Sequence, residues 1–270
     1  MKEYIGIEKV FHGRRWSALH DGYFSDPAIA RPLLETVKGI LAKSPADAIV
    51  DFGGGTGFLL SQLRLQGIGD DTALVNVDCS EAQLALSEEK GIPSVCTLID
   101  GFKRGDVTSK DSRVFFMMRS VLHYFGKDGS LPLLCYLRNQ AKFGEFFVHQ
   151  TASFEHEEEA ACLNALYRYM RTHKWYPTVS DLRSRMKDAG WCVLDTIPAP
   201  SLRLTSDDLG RRYALDASMI ARIRDIMASE FGEISGVFRL MPSGFQANLH
   251  YRIYSCLAVD SGLSDTVQPE

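Results

Sequence analysis

The chain has 270 residues, 45% hydrophobic and 24% charged, with 30 basic against 34 acidic side chains and a formal net charge of -4. That balance argues against a nucleic-acid partner, which asks for a basic face, and suits one large α/β domain with additions. The longest apolar run, about residues 114–118, is too short to cross a bilayer, and the charged stretch 1–15 has no secretory core, so a cytoplasmic protein without membrane contact is expected.

In chain order, Leu33, Leu34, Val37, Ile40 and Leu41 recur at helical spacing and predict a helix over 28–42. A short apolar strand, 48–52, ends in glycines, and a helix follows over 57–66. Residues 73–77 read as a second strand closed by Asp78. Ser80, with Gln83 at capping-box spacing, opens a helix through Lys90. A third strand covers 94–99, and the continuous apolar stretch 113–118 reads as a fourth, buried on both faces. Helix 131–141 and a fifth strand, 145–149, complete the alternation. Strands and helices alternating at this spacing predict right-handed βαβ units and a Rossmann-like, mostly parallel α/β sheet.

Helices are then expected over 155–172 and 178–189, a strand over 191–197, a largely helical stretch over 207–231, and a long final strand over 249–259. The expected organisation is a helical N-terminal lid at 1–45 and a ligand-binding domain at 46–270, with helical insertions at about 154–176 and 200–246. The second insertion is too long for a hairpin and is expected to cover the open edge of the site.

The segment after the first strand reads Asp51-Phe52-Gly53-Gly54-Gly55-Thr56-Gly57. A glycine turn between strand and helix lets a ligand approach the backbone closely. The dinucleotide spacing G-x-G-x-x-G fails, because Phe58 stands where its third glycine belongs. What remains is acidic-x-G-x-G-x-G, with the Asp51 carboxylate placed to hold an ammonium group. Asp78, at the end of the second strand, can accept both hydroxyls of a ribose. Asp100, Gly101 and Phe102, after the third strand, can meet the edge and face of an adenine.

With these motifs in order, the sequence resembles class I S-adenosylmethionine (SAM)-dependent methyltransferases. The likeness is specific over 45–150 and looser over 178–260. More narrowly it resembles small-molecule O-methyltransferases of the caffeate and polyketide type. Those show V-D-x-G-G-G-x-G, an acidic ribose binder, a D-x-F segment, and a basic residue followed four positions later by histidine. Here these are residues 50–57, Asp78, residues 100–102, and Arg119 with His123. The resemblance implies SAM as cofactor, a last strand running antiparallel, and a small-molecule methyl acceptor, most simply a hydroxyl. It implies SAM contacts from Asp51, Gly53, Gly55, Thr56, Gly57, Asp78, Cys79, Asp100, Gly101, Phe102, Arg119 and Ser120. It makes His123 the base that deprotonates the acceptor. Arg119 stands where lysine is usual, and Tyr124-Phe125 replaces Asp-Trp. About 45 residues precede the SAM domain where those enzymes carry a dimerising domain, so the oligomeric state is open.

Methyl transfer from a sulfonium is an in-line displacement, and a base is needed only when the acceptor must lose a proton. An imidazole titrating near pH ~6.5 suits that role, with His149 a second candidate. His12, His20, His156, His173 and His250 are expected at the surface or in structural roles. Phe11, Trp16, Tyr23 and Phe24, then Tyr167, Tyr169, Trp175 and Tyr176, then Arg211, Arg212, Tyr213, Met219 and Met241 supply material for an aromatic-walled acceptor pocket, with residues 242–244 as a loop at its mouth. The pairs and runs of basic residues, 183–187 and 211–212, read as solvated helix faces. None of the six cysteines forms a C-x-x-C pair; they read as reduced core thiols, and no metal site is expected. The acid-rich run 155–159 reads as a favourable helix start. Transfer to nitrogen, sulfur or carbon, other SAM-fold chemistry such as aminopropyl transfer, a nicotinamide oxidoreductase, and a non-catalytic SAM-binding module stand as alternatives.

Overall fold

The structure is a computed structural model that describes residues 22–260. Its helices are α1 (Pro27–Leu41), α2 (Phe58–Leu65), α3 (Glu81–Glu88), α4 (Gly126–Gln140), α5 (Glu157–Tyr169), α6 (Val179–Asp188), α7 (Ser206–Tyr213) and α8 (Ala217–Glu230). The strands are β1 (Ala48–Phe52), β2 (Ala73–Asp78), β3 (Ser94–Cys96), β4 (Val114–Arg119), β5 (Phe146–Ala152), β6 (Trp191–Pro198), β7 (Leu202–Thr205), β8 (Phe238–Met241), β9 (Gly244–Leu249) and β10 (Tyr251–Ala258).

Seven strands form one sheet in the order β3-β2-β1-β4-β5-β10-β6. All neighbours pair parallel except β10, which runs antiparallel to both β5 and β6. The expected α/β architecture, mostly parallel with a reversed last strand, is therefore the observed one. β1 is buried at all five positions and β4 at all six, as strands covered on both faces must be. Alternation sends Ile49, Phe115, Met117 and Val148 to one face, against α1 and α2. Val50, Phe52, Phe116, Met118 and Phe147 go to the other, against α4 and α6. A third apolar cluster joins α5, α7 and α8 to a small antiparallel sheet, β7-β9-β8.

Several sequence expectations change in detail. Ser80 is the N-cap residue of α3, but its side chain caps nothing, and Gln83 is buried against the glycine turn. β3 stops at Cys96, and residues 99–101 form a 3-10 turn. The stretch 207–231 is two helices, broken where Ala214 takes a left-handed φ of 52° and restarted by the Asp216 cap. The 200–246 insertion, expected to be helical, also holds β7, β8 and the first half of β9. Met241 pairs with Gly244, so Pro242 and Ser243 are the tip of the β8–β9 hairpin. Of the cysteines, Cys162 and Cys256 are buried and Cys96 is exposed; all six are free thiols. Among the described residues, no helix is long and apolar enough to cross a membrane.

The acid run begins α5 as expected, with Glu159 accepting the backbone N–H of His156 at 3.1 Å. A second acid has a larger structural role. Buried Glu145 accepts from both terminal nitrogens of Arg104 (2.6 Å each) and from the backbone N–H of Val114 and Lys142 (2.7 and 2.8 Å). It ties the starts of β4 and β5 to the loop after β3. Replacing Glu145 by Ala leaves these donors unsatisfied, and the expected loss is about 3 kcal/mol in urea unfolding. A loss under about 1 kcal/mol, the range of an exposed pair, would contradict that role.

Candidate active site

The sheet order reverses between β1 and β4: the chain moves outward through β2 and β3, then returns to β4 on the other side of β1. Such a reversal opens a crevice beyond the carboxyl ends of the strands. The glycine turn stands at its edge. Gly53, Gly55 and Gly57 take φ of 67°, 56° and 69°, the left-handed region that suits glycine. A Cβ on Gly53 would strike Val121, one on Gly54 would strike Asp51 and Asn76, and one on Gly57 would strike Ser87. The turn is pinned from β2: Asn76 Nδ2 donates to Gly55 O at 2.7 Å, and Asp78 accepts from Gly55 N at 3.0 Å. The other Asp78 oxygen accepts from Ser80 N at 2.8 Å. Thr56 lies in the same turn, and its carbonyl accepts from Lys90 Nζ at 2.6 Å.

Asp51, on β1, is completely buried, and neither carboxylate oxygen has a hydrogen-bond partner. Burial pushes its pKa up to about 8, the Asp78 charge adds to the rise, and Arg119 opposes it. A buried carboxylate without donors is a costly arrangement that a cationic ligand relieves.

Arg119 ends β4 and is itself buried, which depresses its pKa. Its guanidinium donates to the carbonyls of Tyr23 and Phe24 (3.4 and 3.3 Å) and lies 5.6 and 5.4 Å from their rings. The hydroxyl of Tyr23 donates to Pro200 O, so residues 22–25 are fastened across the strand ends. Ser120 follows with φ of 59°, strained for a side-chain-bearing residue, and its Oγ is 2.5 Å from Tyr251 Oη.

These elements border a cleft of about 1350 Å³. One end is lined by Gly53, Asp78, Cys79, Ser80, Gln83 and residues 97–99. Arg119 and Ser120 form the middle. The far wall brings Tyr124, Phe125, Tyr169, Lys174, Trp175, Tyr213 and Met219. Gly53, Asp78, Cys79, Arg119 and Ser120 thus border one space, with Asp51, Gly55, Thr56 and Gly57 in the strand end and turn behind it.

Other expected site residues lie elsewhere. Asp100 is exposed, and Gly101 belongs to the 3-10 turn. Phe102 is fully buried with Phe52 and Phe116 in the core beneath, its ring centroid 5.0 Å from that of Phe52. Thr97, Leu98 and Ile99 line the cleft in their place. His123 is 5% exposed and lies outside the cleft. Its ring packs on Tyr124 (4.1 Å) and Tyr176 (5.3 Å), in a small adjoining space that Tyr124 and Lys174 also border. His149 is sandwiched inside the core between Phe147 and Tyr254, and burial lowers its pKa to about 3. Arg211 is exposed, but Arg212 is buried and donates to Tyr124 Oη at 3.0 Å. Tyr167 and Tyr176 are core residues beside that space, and Met241 is exposed away from the cleft. Phe11, Trp16, His12 and His20, with most of the expected lid, fall outside the described residues.

Sequence reading missed Asn76, Gln83 and Lys174. The first two carry a weak signal, polar side chains on otherwise apolar elements beside the glycine turn. Lys174 carries none, since its surroundings come from three distant segments.

No family model and no curated protein matches the sequence. Solved structures do match in shape. A candidate methyltransferase from Bacillus halodurans superposes with TM-score 0.65 at 13% identity, over 84% of this chain and 99% of the other. The 1,6-didemethyltoxoflavin-N1-methyltransferase of Burkholderia thailandensis, solved with that substrate and S-adenosylhomocysteine, gives 0.55 at 15% identity, over 96% and 90%. An O-methyltransferase family protein from the same organism gives 0.53 at 11%, over 89% of this chain and 58% of its own length. The fold is that of the Rossmann-like methyltransferases.

Asp51 gives the site a measurable signature. Its folded pKa of about 8 lies above the ordinary 3.8, so the native state holds an extra proton between those values. Stability therefore falls as pH rises through that window. Asp51→Asn is expected to remove this dependence and to melt above the parent near pH ~9 without ligand. Thermal unfolding of both proteins from pH ~6 to ~9 measures it, and a variant less stable than the parent at the alkaline end contradicts the assignment.

Proposed function

We propose that this protein is an enzyme that transfers the methyl group of SAM to a small-molecule acceptor, a hydroxyl by the sequence resemblance. The observation that carries the reading is Asp51: a buried carboxylate without protein donors, beside a glycine turn, at the reversal point of a methyltransferase-type sheet. The residues present fit SAM. Asp51 answers an ammonium, directly or through water. Gly53, Gly55 and Gly57 keep a tight turn that side chains would break, since a Cβ there would strike Val121, Gln83 or Ser87. Asp78 lines the cleft at the end of β2, where a carboxylate can accept from ribose hydroxyls. In this reading Thr97, Leu98 and Ile99 take the adenine edge, replacing Asp100 and Phe102.

When bound, SAM supplies a methyl group already activated on a sulfonium. The protein's own work is alignment and exclusion of water. Arg119 holds residues 22–25 over the strand ends, and the aromatic wall of Tyr124, Tyr169, Trp175 and Tyr213 confines the acceptor. His123 packs at a tilt against Tyr124, which lines the cleft where His123 does not, so we assign it to positioning that ring. Proteins named for N- and O-methylation share this fold, so the fold leaves the acceptor atom open.

Calorimetry with SAM, S-adenosylhomocysteine and NAD tests the cofactor: the first two are expected to bind at micromolar concentration and NAD not to bind. Binding of NAD without SAM would sink the reading. For the histidine, His123→Ala is expected to keep SAM affinity and to lower turnover less than ~10-fold; a loss beyond ~100-fold, the scale of general-base catalysis, would return the base to His123.

A further inference from the structure

Beyond the donor end, the charged residues of the cleft are one-sided. Among the described lining residues, Lys127, Arg168, Arg171, Lys174 and Arg222 stand against one carboxylate, Asp128, in a chain whose acids outnumber its bases. Three of these cations sit on or beside one short turn, the exit from α5. That turn is closely held. Arg171 N donates to Arg168 O (2.9 Å) and Thr172 N to Tyr167 O (3.0 Å), the paired bonds of a helix end that favours glycine at its left-handed residue. Here that residue is Arg171, with φ of 58°. A large cationic side chain occupies a strained backbone position at the rim of the cleft.

Lys174 lies deeper, 8% exposed. Its ammonium donates to Tyr213 Oη at 2.7 Å and stands 4.5, 5.3 and 5.8 Å from the ring centroids of Tyr124, Tyr213 and Tyr167. Aromatic faces stabilise a desolvated cation, so these three rings favour an ammonium at this depth. The same rings present flat walls. Among the described residues, a positive, aromatic wall thus faces a donor that is itself a cation, an arrangement that an anion between them relieves.

The geometry points to a planar aromatic acceptor carrying an anionic oxygen group, with Lys174 at the inner end and Arg171 and Arg222 at the rim as the residues that select it. This rests on the SAM reading above and adds the substrate class. An amine acceptor, as aminopropyl transfer would use, meets like charge here.

The test uses the full chain with S-adenosylhomocysteine bound, which keeps the two readings separable. Loss of S-adenosylhomocysteine binding by the parent protein would overturn the donor assignment, whereas the acceptor arms below judge the anion alone. Calorimetry compares 3-hydroxybenzoate, phenyl phosphate and neutral 3-hydroxybenzamide. At least one anion is expected to bind ~10-fold or more tightly than the amide, and which one identifies carboxylate or phosphate. That preference is expected to fall to within ~3-fold in Lys174→Met and to shrink in Arg222→Gln, an exposed position where folding is not at issue, with S-adenosylhomocysteine affinity kept in both. Equal or tighter binding of the amide, no binding of either anion at millimolar concentration, or an unchanged preference in both variants would overturn the proposal.

Discussion

The buried carboxylate of Asp51 is the constraint around which the rest is arranged. It sits on β1, an inner strand whose backbone groups are committed to β2 and β4, so no local N–H is left to meet it. A side chain on the following turn would collide with it and with Asn76, which is why glycine is required there rather than merely tolerated. Asp78 repels it, and Arg119 only partly offsets that repulsion. Local stability is thus given up at the one point where the sheet offers a ligand the most backbone.

Two kinds of structure meet across the cleft. The donor end is made of strand termini and the turns directly after them, held by the sheet ladder and by the hydrogen bonds of Asp78 and Asn76. The acceptor end is made of the turn after α5 and the α7–α8 region, which belong to a separate apolar cluster built on α5, α7, α8 and the small sheet. The first can stay constant while the second changes, because few side chains are shared between the two cores. Arg119 is an exception: it borders the cleft and also grips residues 22–25.

The strands and the glycine turn were readable because both are local: an apolar run followed by Asp51 and spaced glycines has one simple geometry. The segment after β3 does reach the cleft, but through residues 97–99 and not through Asp100 and Phe102. A 3-10 turn at 99–101 puts Asp100 outside and Phe102 inside, and no spacing in the sequence distinguishes that from the reverse. A separate 3-10 turn, at Leu122–Phe125, sets His123 behind Tyr124. β7, β8 and β9 were hidden because they are short and carry polar residues such as Gln246 and Asn248 that mimic loop. The setting of Lys174 depends on Tyr124, Tyr167 and Tyr213 meeting in space, a relation that no one-dimensional pattern contains.

The reversed strand β10 has a consequence for how the molecule is made. Among the described residues, β6 joins the large sheet only through β10, the last strand in chain order. While the chain emerges from the ribosome, β5 and β6 both wait with open edges, and the small sheet, which lies between β6 and β10 in the chain, can close first. The large sheet is completed from its interior when β10 inserts, so a chain cut short before Tyr251 leaves one edge of β5 open and β6 unpaired, both prone to associate with other chains.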